Sequence, residues 1–227
     1  SAAKIKGDLA MYFRVDKNLP IALHRHAPTK EDKMHEPLSL PLARSAVDRD
    51  NVARSIPDFL NTLWSDDAAR VLVLSHGKTL LEGPVDAPTP ALRLLTVGLL
   101  AELLAENNIE QDAYLGFSVE AQGEVPAGTR IILAVLDAAA ANALEPDPDA
   151  WHGLRRTGAG LSARDAGLYA EALALANWHE THLYCPRCGQ ATIVEEAGWV
   201  RKCVLDGHQI FPRTDPAIIV SVVDQQD

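Results

Sequence analysis

Cys185, Cys188 and Cys203 are the only cysteines in 227 residues, and their spacing constrains the local fold more than any other feature of the chain. The first two bracket the turn Cys185-Pro186-Arg187-Cys188-Gly189. A reversing backbone of this kind aims two thiolates at one point, and the glycine takes the strained conformation after the second sulfur. Tetrahedral zinc then needs two donors from a facing hairpin. Cys203 supplies one, and Cys203-Val204-Leu205-Asp206-Gly207 repeats the outline of the first knuckle with a carboxylate in the second slot. His208 is the rival fourth ligand, since imidazole is a commoner zinc ligand than carboxylate. The spacing therefore gives Cys185, Cys188, Cys203 and either Asp206 or His208, with register favouring Asp206. A thioredoxin-like redox pair is the other reading of Cys-x-x-Cys, but it wants a strand-to-helix setting. Here the pair leads into Gln190 to Val194, a turn and another apolar stretch.

All three cysteines lie in one cluster, which fits a reducing compartment where thiolates are kept for metal. No run of eighteen apolar residues and no charged-then-apolar leader is present. The chain thus reads as soluble and cytoplasmic, with no membrane partner. A net charge of -10 disfavours non-specific nucleic-acid binding, although Arg187, Arg201, Lys202 and Arg213 gather a local basic patch around the cysteines.

The pattern along the chain predicts an α+β fold. Residues 1–45 form an irregular N-terminal arm containing His24, His26 and His35, which lack metal-ligand spacing. Residues 46–150 read as a mixed α/β domain. Within it, Arg70 to Leu81 predicts a hairpin about the turn Ser75-His76-Gly77-Lys78. Ala91 to Glu106 carries leucines at helical spacing, with Glu102 and Glu106 on the solvated face. Strands follow at 114–119 and 130–136. Pro146 and Pro148 mark the approach to a linker, and residues 151–182 comprise linker and a helix with Ser162 as N-cap and Asp165 at the third position. Leu168, Ala172, Leu175 and Trp178 share one helix face, while His179 and His182 read as packing or surface groups. Residues 183–213 are the zinc ribbon, and 214–227 open with an apolar strand.

Three stretches together carry a resemblance: Ala-Leu-Ala-Asn-Trp178-His179-Glu-Thr-His182-Leu-Tyr-Cys185-Pro-Arg-Cys188-Gly, then Gly198-Trp199-Val-Arg-Lys-Cys203, then Phe211-Pro212-Arg213-Thr214-Asp215-Pro216. The chain resembles the NADH pyrophosphatase family of Nudix hydrolases. The resemblance implies a Nudix-like N-terminal domain, a structural zinc ribbon and the first strand of a catalytic Nudix domain, assembled as a homodimer. It further implies hydrolysis of NADH or NAD to a nicotinamide mononucleotide and AMP, extending to NAD-capped RNA. Catalytic magnesium or manganese would be held by glutamates of the Nudix helix.

No stretch of this sequence fits the Nudix box, so no catalytic residue is named, and the chain reads as stopping at the start of that domain. By the same resemblance, Phe211 and Arg155 or Arg156 occupy substrate-contact positions, Asp206 replaces the fourth cysteine, and Gly198 replaces a glutamate. The alternative is a stand-alone zinc-ribbon adaptor that binds RNA or protein.

Overall fold

Two apolar runs, 71–74 and 131–136, are too uniformly hydrophobic for a sheet with one wet face, and they imply a sheet covered on both sides. The computed structural model, which describes residues 42, 44–103 and 109–213, has this architecture. In chain order the elements are β1 (Val47–Asp48), α1 (Asn51–Arg54), α2 (Phe59–Leu63), β2 (Arg70–Leu74), β3 (Lys78–Glu82), β4 (Ala91–Leu92), β5 (Leu95–Thr96) and α3 (Val97–Leu103). Then come β6 (Ile109–Ser118), β7 (Arg130–Leu136), α4 (Ala138–Leu144), β8 (Trp151–Gly153), α5 (Leu154–Thr157), α6 (Ala163–Thr181), β9 (Thr192–Glu195), β10 (Val200–Cys203) and β11 (Gln209–Ile210).

The main sheet has the order β1-β6-β7-β2-β5, with β2 and β7 parallel and the remaining pairs antiparallel. Because successive side chains alternate faces, Val71, Val73, Ile132 and Ala134 enter a core with Leu63, Leu100 and Ala140. Leu72, Leu74, Ile131 and Leu133 enter a second core against Leu168, Ala172, Leu175 and Trp178 of α6. The fold is thus the expected mixture of helix and sheet, with α6 packed directly on the sheet.

Two sequence expectations change in detail. The 70–81 segment does turn at Ser75–Lys78, where paired backbone hydrogen bonds of 2.9 Å close the loop. His76 and Gly77 there take positive φ, +48° and +72°, as a two-residue hairpin loop requires. Beyond the tip the strands part company: β2 stays in the main sheet, while β3 joins a smaller sheet of order β4-β3-β8. The helix expected over Ala91 to Glu106 begins only at Val97. Its first residues are strands instead, Leu92 pairing with Leu81 and Leu95 with Val71. Leu92 and Leu95 therefore serve separate cores, and tertiary pairing overrides the helical periodicity.

Asp165 explains the first of those pairings. Ser162 caps α6 by accepting from Asp165 N at 3.1 Å. The Asp165 carboxylate, itself buried, accepts from Leu92 N (2.9 Å), Gln122 Nε2 (3.0 Å) and Arg164 Nε (2.8 Å). A buried carboxylate held by that many donors ties β4 to the start of α6. Readings placed on His24, His26, His35, Glu106 and residues 214–227, and on the side chain of Glu102, lie outside the described residues.

Candidate metal centre and neighbouring cleft

The two cysteine turns are built on one hydrogen-bond scheme. In the first, Gly189 N donates to Cys185 O (2.9 Å) and Cys185 N donates to Gln190 O (2.7 Å). In the second, Gly207 N donates to Cys203 O (3.1 Å) and Cys203 N donates to His208 O (2.9 Å). Gly189 and Gly207 both sit in the left-handed region, at φ +72° and +68°, where a side chain would be strained. By this equivalence Asp206 stands where Cys188 stands, and His208 stands where Gln190 does. Cys185, Cys188 and Cys203 offer sulfurs, and Asp206 an oxygen, within 4.8 Å of one another; His208 is not in the group. Leu205 N points at Cys203 Sγ (3.4 Å). His208 N donates to Asp206 Oδ1 at 2.9 Å, and this bond holds the carboxyl pKa below its ordinary value. Three cysteine sulfurs and a carboxylate gathered at one point match the number of donors in a closed zinc shell.

The centre sits on a three-stranded sheet of order β11-β10-β9, and that sheet is fastened to α6 and β6 by buried polar contacts. His179 Nε2 donates to Gly198 O (2.8 Å), and its Nδ1 accepts from Arg201 Nη1 (3.0 Å). This pair of partners selects the neutral ring protonated at Nε2. Burial, together with the Arg201 charge, lowers the imidazole pKa from its ordinary value. Arg201 in turn donates to Thr192 Oγ1 (2.7 Å) and Thr192 O (3.3 Å). It is only 6% exposed, so it leaves the surface basic patch, and Lys202 is paired with Glu195 at 3.1 Å. Trp199 Nε1 donates to Tyr114 O of β6 at 2.7 Å. His182 turns Nδ1 toward Trp178 O at 2.9 Å, and neither histidine joins the sulfur cluster.

Beside this joint lies a cleft of about 260 Å³ bordered by Arg49, Arg54, Glu196, Trp199, Phe211 and Pro212. The guanidinium of Arg54 stands 4.0 Å from the Trp199 ring centroid, and that of Arg49 stands 5.7 Å away. Both are cation–π contacts. Behind them, Glu171 of α6 accepts from Arg49 Nε through Oε2 at 2.9 Å. Glu171 Oε1 and Arg54 Nε are buried without a hydrogen-bond partner. Burial pushes the Glu171 pKa up to about 7 against the pull of Arg49 and Arg54.

Phe211 is 54% exposed and lines this cleft. Arg155 and Arg156 are exposed on α5, and neither borders it. Sequence reasoning missed Arg49, Arg54 and Glu171. Glu171 carried a signal, because positions 168, 171, 175 and 178 share one helical face, and the other three are buried apolar residues. The two arginines lie before the first strong periodic segment and carried none.

Among the described residues no helix is long and apolar enough to cross a membrane. Residues 68–178 match the NADH pyrophosphatase-like rudimentary NUDIX domain, and residues 180–211 match the NADH pyrophosphatase zinc ribbon domain. The human NAD-capped RNA hydrolase NUDT12 is 37% identical over 71 residues, 28% of this chain and 15% of the relative. The human mitochondrial NAD(P)H pyrophosphatase NUDT13 is 41% identical over 64 residues, 28% of this chain and 18% of the relative. The NAD-capped RNA hydrolase NudC of Mycobacterium tuberculosis is 38% identical over 74 residues, 33% of this chain and 24% of the relative. Each match thus spans less than a quarter of the relative's length. A rudimentary NUDIX domain followed directly by the matching zinc ribbon places the chain, over these residues, in the NADH pyrophosphatase family of Nudix hydrolases.

Proposed function

We propose that this chain supplies the rudimentary NUDIX domain and zinc ribbon of a NAD(H) diphosphatase. The enzyme hydrolyses the pyrophosphate of NADH or NAD to nicotinamide mononucleotide and AMP, and NAD-capped RNA is a further substrate. The observation that carries this reading is the continuity of the two matched segments, 68–178 and 180–211, in one compact unit. Relatives that match 28% of this chain bear the names NAD-capped RNA hydrolase and NAD(P)H pyrophosphatase.

Cys185, Cys188, Cys203 and Asp206 hold a structural zinc, which cross-links the two knuckles. Phe211, and Arg155 or Arg156, contact the nucleotide. The described residues brace and border the catalytic site and do not perform the chemistry. Magnesium or manganese belongs to the glutamates of a Nudix box, a pattern the present sequence does not contain. The protein acts in the cytoplasm as a homodimer.

Protein expressed from the whole reading frame is expected to consume NADH with magnesium. Phe211→Ala should raise KM roughly tenfold, since base–aromatic stacking is worth about 1–3 kcal/mol. NADH left intact by the unmodified protein would overturn the proposal.

A further inference from the structure

The arginine pair beside Trp199 has no complete set of partners. Arg49 engages Glu171 through Nε, and neither of its terminal nitrogens has a hydrogen bond among the described residues. The Arg54 guanidinium has none there either, and its Nε is buried without one. Its charge is met from one side by the Trp199 ring and from behind by Glu171, which is 7% exposed and shared with Arg49. Two guanidinium groups at one cleft thus face the buried carboxylate of Glu171, with Glu196 and Asp50 also acting on Arg54, while the Arg49 terminal nitrogens and the Arg54 Nε keep open donor positions. Guanidinium forks fit phosphate oxygens better than any other protein group does.

We propose that Arg49 and Arg54 form a phosphate-binding site whose ligand is a nucleoside phosphate, with the base laid on Phe211. This rests on the nucleotide substrate proposed above and names the groups that hold its phosphate. The cleft of about 260 Å³ takes a phosphate and sugar, and the half-exposed Phe211 ring at its rim offers the stacking face. That pairing of an aromatic platform with a cationic groove is how sequence-tolerant nucleotide contacts are made. Glu196 is exposed, borders the same cleft and opposes the anion, so it sets a limit on affinity. The phosphate arrives either on a free nucleotide or within an RNA chain, and the two sources share the same recognition.

Calorimetric titration of the 227-residue chain with AMP, with adenosine and with an uncapped RNA pentamer, without added magnesium, tests this. AMP should bind saturably and at least tenfold more tightly than adenosine. Arg49→Gln and Arg54→Gln should each weaken AMP at least fivefold, and Glu196→Gln should tighten it. Lys78→Gln at the exposed hairpin tip removes the same charge elsewhere and should leave binding unchanged. Pentamer binding that is lost in Arg49→Gln assigns the site to the RNA chain, and AMP binding alone assigns it to the free nucleotide. Thermal melts identify any variant that fails to fold; Arg49, which is more exposed than Arg54, serves if Arg54→Gln does so. Equal affinity for AMP and adenosine, or AMP binding unchanged in Arg49→Gln, overturns the proposal even if NADH hydrolysis is established. Loss of NADH hydrolysis with arginine-dependent AMP binding intact overturns only the diphosphatase reading.

Discussion

At the residue scale, the choice between Asp206 and His208 turns on where each stands in its knuckle. The matching bonds from Cys185 N to Gln190 O and from Cys203 N to His208 O put His208 in a spacer position, and Asp206 in the slot of Cys188. Asp206→Ala should therefore lower the zinc content of purified protein, measured by mass spectrometry, while His208→Ala leaves it near one ion per chain. An oxygen donor binds zinc less firmly than sulfur, so a chelator should strip the unmodified protein faster than an Asp206→Cys variant. Glu171 yields a second prediction. Its folded pKa of about 7 lies above its unfolded value of 4.5, so the folded state binds the extra proton. Its contribution to stability is fully present below pH 4.5 and is lost as pH rises through about 7. Relative to Glu171→Gln, the unmodified protein should lose melting temperature between pH 5 and pH 8. His179, whose pKa is lowered, works in the opposite sense as pH falls, but it is present in both proteins and drops out of the difference.

At the element scale, the joint between ribbon and α/β domain depends on Gly198. At φ +97° it lies against β6, where an added Cβ would overlap Ala113 Cβ and stand 2.8 Å from Ala113 Cα. This packing gives the glycine at position 198 a physical cause. Gly198→Glu should cost about 3 kcal/mol or more through overpacking and strain, read by denaturant melts, and should weaken the bond from Trp199 Nε1 to Tyr114 O. The strands β6 and β7 and helix α6 were legible in the sequence, because each is long, periodic and bounded by turn or cap residues. Helix α3 was legible only in part. Leucines at 92, 95, 99 and 100 fit a helix equally well whether or not the chain has begun one, and only the partners Leu81, Val71 and Asp165, distant in sequence, draw the first residues into strands.

At the scale of the whole molecule, the cysteine spacing made the metal centre legible, whereas the cleft was not. Short-range spacing encodes a knuckle, since its ligands come from two turns. The cleft is assembled from Arg49, α1 and the ribbon and is backed by Glu171 of α6, and Arg49, Arg54, Glu171, Trp199 and Phe211 meet only after folding. Buried Arg201 illustrates the same limit in reverse: its sequence neighbours made it look like surface charge, and His179 and Thr192 draw it inside. The diphosphatase reading is a claim about which bond of the dinucleotide is cut. Chromatography of the products formed from NADH by protein from the whole reading frame, with magnesium present, tests it most directly. AMP and reduced nicotinamide mononucleotide in equal amounts are the expected products; ADP-ribose with free nicotinamide, or unchanged NADH, would contradict the account.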